Sequence, residues 1–175
     1  MICGIDEAGR GPYAGPLVVA GVILYKHLNG LKDSKKLSEK KREELYLEIM
    51  SYSKHKIVFI DNTEIDQIGL SKSIQKALRI IMQTLEAKKY IFDGNTTYQI
   101  PNLSCMIKAD SKIDEVSAAS IIAKVSRDRY MKQIALKYPQ YGFEKHKGYG
   151  TKLHHEAIKK YGLCEIHRKS FNIKI

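Results

Sequence analysis

Two short apolar runs, residues 2–6 and 17–25, are separated by AGRGPYAGP, nine residues that hold three glycines and two prolines. Such a segment breaks regular structure, so the runs meet through a turn, and a hairpin of neighbouring strands fits them. The first run ends on adjacent acids, Asp6 and Glu7. Successive strand side chains point to opposite faces of a sheet. Both acids therefore serve one site only if the strand departs from regular geometry, and a break between Asp6 and Glu7 is expected.

Downstream, Ser38 reads as the N-cap of a helix over 39–53 with Leu45, Ile49 and Tyr52 on one face. KIVFID (56–61) reads as a strand, and 70–87 as a helix with Ile74, Ala77, Leu78, Ile81 and Leu85 at helical spacing. KYIFD (89–93) and LSCMIKA (103–109) read as strands around a polar loop. A helix over 114–137 begins DEVSAASIIAKV, whose small residues imply that another backbone packs closely. A loop rich in Gly, Tyr and Lys (137–151) leads to a short helix over 152–161. This order makes an α/β protein: a mixed five-stranded sheet flanked by helices, with a short helical C-terminal region. No repeat or linker divides it, so residues 1–175 are expected to form a single domain.

Thirty Lys and Arg against 19 Asp and Glu give a formal charge of +11, which leans toward a polyanionic partner. Three cysteines (Cys3, Cys105, Cys164) without metal spacing fit a reduced compartment and receive no chemistry. The run from Leu17 to Tyr25 is too short to cross a bilayer, so the expectation is a cytoplasmic protein without a membrane partner, in which Asn95 has no glycosylation role.

Acids recur at the carboxyl ends of strands, where open α/β sheets place their sites. Asp6 and Glu7 end the first strand, Asp93 ends KYIFD, and Asp110 follows LSCMIKA. Any one of them alone reads as a turn or cap residue; the coincidence of three strand ends favours function. Four clustered carboxylates need a counter-charge, and hard divalent cations supply it while leaving positions for water or phosphate. Asp61, Asp66, Asp114 and Asp128 compete, with Asp114 readable as a helix cap and Asp128 as part of local ion pairs. The glycines at 9, 11 and 15 permit close backbone approach to a phosphate or ribose hydroxyl, with Arg10 adding charge, although an ordinary connection explains a glycine-rich turn equally well. In the basic run KDSKKLSEKKR only Ser34, Lys35 and Lys36 stand before the helix cap. Tyr149, between glycines in HKGYGTKLHH, suits stacking on a base or sugar. His146, His154, His155 and His167 form no zinc pattern and read as surface residues.

GIDEAGRGPYAGPLVVAGVIL, DSKKLS, FDGN, KADSK leading into AASIIAKVSRDR, YPQYGFEKHKGYGT and HRKSF together resemble type 2 ribonuclease H, in order from residue 4 to 171. The resemblance implies a ribonuclease H-like fold and a metal-dependent endonuclease. Its substrates would be the RNA strand of RNA-DNA hybrids and DNA duplex containing ribonucleotides, nicked on the 5′ side to leave a 3′-hydroxyl and a 5′-phosphate. It implies two ions of Mg²⁺ or Mn²⁺ on Asp6, Glu7, Asp93 and Asp110. Gly9, Arg10 and Gly11 would read the 2′-hydroxyl, Tyr149 would pack on the sugar at the DNA side of the junction, and Ser34 and Lys35 would hold the DNA backbone. A monomer is expected. Gly69 stands where the family commonly has Asn; some relatives continue past HRKSF into further helices that help grip the duplex, so tight binding is expected to depend more on the basic surface here. Another nuclease on the same fold and a non-catalytic nucleic-acid-binding module are the rivals; the module gives no reason to gather acids beside a polyanion.

Overall fold

The computed structural model describes residues 1–174; the side chains of Lys32 and Asp33, and with them the first lysine of the basic run, fall outside that description. The strands are β1 (Ile2–Ala8), β2 (Leu17–Leu24), β3 (Ser53–Ile60), β4 (Lys89–Asp93) and β5 (Leu103–Met106). They form one sheet in the order β3-β2-β1-β4-β5, with β1, β4 and β5 parallel and β2 antiparallel to both its neighbours. The helices are α1 (Glu39–Ser51), α2 (Asn62–Ile68), α3 (Leu70–Thr84), α4 (Asp114–Lys137), α5 (Phe143–His146) and α6 (Lys152–Tyr161). Short 3₁₀ turns occupy Leu31–Lys36 and Ala109–Ser111. The expected mixed sheet is present. Among the described residues no helix is long and apolar enough to cross a membrane.

Period-two alternation along β2 divides the core. Leu17, Val19 and Ile23 join Cys3 and Ile5 beneath α3, where Ile74, Ala77, Leu78 and Ile81 are buried as expected. Val18, Ala20 and Val22 face α1 and α4, meeting Leu45, Ile49, Ala118, Ala119 and Ala123. The small residues of α4 let it lie against β1: a Cβ on Gly4 would stand 2.2 Å from backbone atoms of Glu115 and Val116. Because those atoms are backbone, Gly4→Ala must push a whole helix away from the sheet. A loss of about 2–3 kcal/mol is expected in denaturant unfolding, and wild-type stability would show that α4 gives way freely.

Several boundaries differ from the sequence reading. The expected break between Asp6 and Glu7 does not occur, since Asp6 pairs with Ala20, Glu7 with Val19 and Ala8 with Val18. The ladder to β2 carries the strand past both acids, and the chain turns only at Gly9, where φ is +90°. β3 begins at Ser53, because Ser53 to His55 pair with β2 although their polarity conceals a strand. As an edge strand, β3 carries lysines without cost to the core. α1 stops before Tyr52, which is exposed under the Lys26 ammonium rather than buried on the helix face. β5 ends at Met106, and a left-handed Lys108 (φ +57°) sends Ala109 into a 3₁₀ turn. The unexpected α2 starts from Asp61, whose carboxylate accepts the Glu64 N–H at 2.8 Å.

Candidate active site

In the parallel pair β1 and β4, Ile5 lies opposite Phe92, so Asp6 and Asp93 stand side by side toward the carboxyl end of the two strands. The turn at Lys108 brings Asp110 back to them, and the Asp110 N–H donates to Asp93 Oδ2 at 3.0 Å. Asp6, Asp93 and Asp110 each offer a carboxylate oxygen within 4.8 Å of the others. Asp6 Oδ1 accepts the Glu7 N–H at 2.8 Å. Glu7 falls on the opposite face of the unbroken strand, yet its longer side chain stays at the rim, with Oε1 3.7 Å from Arg10. Two carboxylate oxygens here, Asp110 Oδ1 in the cluster and Glu7 Oε2 at its rim, are buried without a hydrogen-bond partner.

Burial raises the Asp6 carboxyl well above the usual range, and the charges of Glu7 and Asp93 push it further. Glu7 also moves up, burial outweighing the hydrogen bond with Asp6 and the Arg10 charge. Asp93 is raised for the same first reason. Among the described residues the cation against the three aspartates is Lys35, 3.0 Å from Asp110 Oδ2, and that contact raises the lysine. Like charges held this close without a matching counter-charge prepare a site for an added cation.

The other expected residues divide. Gly9 and Gly11 differ in what surrounds them: a Cβ on Gly9 would lie 2.3 Å from Arg127 Nε, whereas Gly11 has open space. Gly9 is therefore glycine for internal packing and its positive φ, and Gly11 is the position open to a ligand. Arg10 donates to Tyr98 Oη at 3.2 Å. Ser34 is buried 3.5 Å from Ser117 Oγ, while Lys35 turns to Asp110. Tyr149 is 43% exposed with its ring 5.5 Å from the Arg127 guanidinium.

The competing acids have structural partners. Asp61 caps α2, Asp66 accepts the Lys169 and Ser170 N–H groups, Asp114 pairs with His27, and Asp128 with Lys124. The histidine reading fails for three of four: His146, His154 and His167 are buried, because each ring is hydrogen-bonded to backbone or to another ring. Arg127 and Arg168, both fully buried, gave no signal in the sequence beyond lying in runs of charge.

A Ribonuclease HII family model matches residues 3–174. The chain belongs to the ribonuclease HII family. Ribonuclease HII of Sulfurovum sp. (strain NBC37-1) is 58% identical over 173 residues, 99% of this chain and 92% of that one. Ribonuclease HII of Campylobacter hominis is 58% identical over 175 residues, covering 99% and 95%. Among solved structures, that of the PCNA:RNase HII complex from Archaeoglobus fulgidus superposes with a TM-score of 0.85 at 30% identity, over 97% of this chain and 92% of that one. The sheet and its helices are thus a ribonuclease H fold. As a ribonuclease HII the chain is a ribonuclease, an endonuclease of the RNA strand in RNA-DNA hybrids, in a family that uses divalent metal ions.

Proposed function

We propose that this ribonuclease HII also nicks on the 5′ side of ribonucleotides embedded in duplex DNA, leaving a 3′-hydroxyl and a 5′-phosphate. Asp6, Asp93 and Asp110, with Glu7 at their edge, would hold two divalent cations, Mg²⁺ or Mn²⁺. The observation that carries the metal assignment is a pair of buried, unpartnered oxygens, Asp110 Oδ1 in the all-oxygen aspartate cluster and Glu7 Oε2 at its rim, a donor set that suits a hard cation. When bound, such ions lower the pKa of the attacking water and stabilise the leaving 3′-oxygen.

The chain's own groups supply recognition. Only ribose carries a 2′-hydroxyl, and the turn at Gly9 to Gly11 offers backbone amides beside open space at Gly11. Tyr149 would pack on the following deoxyribose, and Ser34 and Lys35 would hold the DNA backbone. The protein would act as a cytoplasmic monomer that removes misincorporated ribonucleotides and RNA primers.

Lys35 occupies Asp110 in the manner of a cation. Lys35→Met is therefore expected to tighten Mn²⁺ binding about three- to tenfold, the scale of one charge pair at a half-open site. Calorimetric titration measures it, and weaker binding in the variant would mean that Lys35 assists the metal instead.

The proposal is tested with end-labelled duplexes that hold no, one or several ribonucleotides, each with Mg²⁺, Mn²⁺ or chelator. A single metal-dependent nick beside the lone ribonucleotide, with none in all-DNA duplex, is expected. Cleavage restricted to continuous hybrids would overturn it.

A further inference from the structure

Arg127, on the inward side of α4, is 1% exposed, and among the described residues it forms no ion pair with a carboxylate. Its guanidinium donates instead to backbone carbonyls: Nε to Pro16 at 2.8 Å, Nη2 to Ala14 at 2.9 Å and Nη1 to Lys147 at 2.7 Å. Two of these acceptors belong to the glycine turn, and the third to the loop that carries Tyr149. The segments also touch directly, since the Tyr13 N–H donates to the Gly148 carbonyl at 2.8 Å. Glycine makes that approach possible: a Cβ on Gly148 would lie 2.4 Å from the Ala14 oxygen, and one on Gly150 2.6 Å from the Tyr13 ring.

Arg168 treats the start of the turn in the same way, donating to the carbonyls of Gly15 at 3.0 Å, Arg10 at 3.0 Å and Gly9 at 2.6 Å. In a trans peptide the C=O and the next N–H point in opposite directions. Carbonyls of Gly9 and Arg10 drawn inward thus turn the N–H groups of Arg10 and Gly11 outward, toward the open space at Gly11. Burying two cations that, among the described residues, form no ion pair is costly, and the cleavage chemistry at the aspartates makes no use of them. Their common effect is to fix where the turn's amides and the Tyr149 loop stand.

We infer that Arg127 is a positioning residue that fixes the span between the Gly9 to Gly11 turn and Tyr149, and through that span sets the preference for a ribose followed by deoxyribose over continuous ribose. The inference rests on the reading that the turn meets the 2′-hydroxyl and Tyr149 the next sugar. A lone ribonucleotide satisfies both contacts in one register only, so an error in the span is felt in full. A continuous hybrid offers a 2′-hydroxyl in every register, so the same error matters less.

Arg127→Lys keeps the charge but has a single donor nitrogen, which cannot bridge the turn and the loop as the fork does. Relative to a continuous hybrid, kcat/KM for a duplex with one ribonucleotide is expected to fall about tenfold or more, mostly through KM. In a four-ribonucleotide tract, cuts should spread from the RNA-DNA junction to neighbouring bonds. Gly150→Ala, which presses on Tyr13 from the other side and leaves the buried cation alone, should shift the ratio in the same direction. Tyr149→Ala should cost less in the Arg127→Lys background than in wild type, a non-additivity that general loosening does not produce. Unchanged ratios in both variants, with wild type nicking the lone ribonucleotide, overturn the spacing role alone. A wild type that leaves the lone ribonucleotide uncut removes the reading beneath it as well.

Discussion

Asp6→Asn is expected to bind duplex as wild type does and to cleave it about 10³-fold more slowly or worse. Asn keeps the shape of the buried side chain and its oxygen for the Glu7 N–H, but it contributes no charge to the cluster with Asp93 and Asp110. The same substitution should stabilise the metal-free protein. Burial, with Glu7 and Asp93 beside it, raises the folded-state pKa of Asp6, so above the unfolded value of about 3.9 the folded chain holds a proton that the unfolded chain has lost. Stability then falls as pH rises through that window, and Asn removes the dependence. At pH 8 without metal a gain of about 1–3 kcal/mol is expected, worth about 2–4 °C in Tm per kcal/mol at this size, shrinking as pH falls. Loss of duplex binding together with cleavage would assign Asp6 a structural role instead.

The acids were legible because each follows an apolar strand, and that pattern marks where a chain leaves the core whatever the rest of the fold does. What Glu7 would do was not legible. Period-two geometry correctly placed it across the sheet from Asp6, but a glutamate at a strand's last turn of ladder remains at the rim without any break in the backbone. Gly9 was read as open to a ligand, and the side chain that fills its space, Arg127, is 118 positions away in numbering and invisible to local pattern. In the run SRDRY, Asp128 does form a local pair, with Lys124, while Arg127 turns into the core and Arg129 reaches Glu43. The side of a helix that a charged residue takes depends on acceptors brought by other elements; for Arg127 these are three carbonyls from two distant loops.

The buried histidines predict an acid-labile fold. The Cys164 N–H donates to His167 Nδ1 at 2.9 Å, which leaves the proton on His167 Nε2 to donate to His154 Nε2 at 2.9 Å, and His154 Nδ1–H donates to the Tyr149 carbonyl at 2.8 Å. Each ring is neutral in one tautomer set by its neighbours. A second proton would set N–H against N–H, and burial already holds both rings down to about 4. The unfolded rings titrate near 6.5, so this stability is complete above that pH and is lost as pH falls toward 4. At about 1.4 kcal/mol per pKa unit the loss reaches about 2 kcal/mol per ring by pH 5 and about 3 by pH 4, a large share of an ordinary domain's stability. Asp66 and Glu39, lowered by their partners, give up their contributions only below their ordinary values of 3.8 and 4.5, so from pH 6.5 to 5 the groups that oppose the histidines are the raised acids Asp6, Glu7 and Asp93. Urea unfolding in an Asp6→Asn, Glu7→Gln, Asp93→Asn background, which removes those opposing groups, should show the decline; a flat profile there would mean that the rings accept protons in place. The Tyr149 carbonyl keeps its donor as the rings gain protons, because His154 Nδ1–H is present in both states; the bonds that acid breaks are the two at His167, to His154 Nε2 and to the Cys164 N–H.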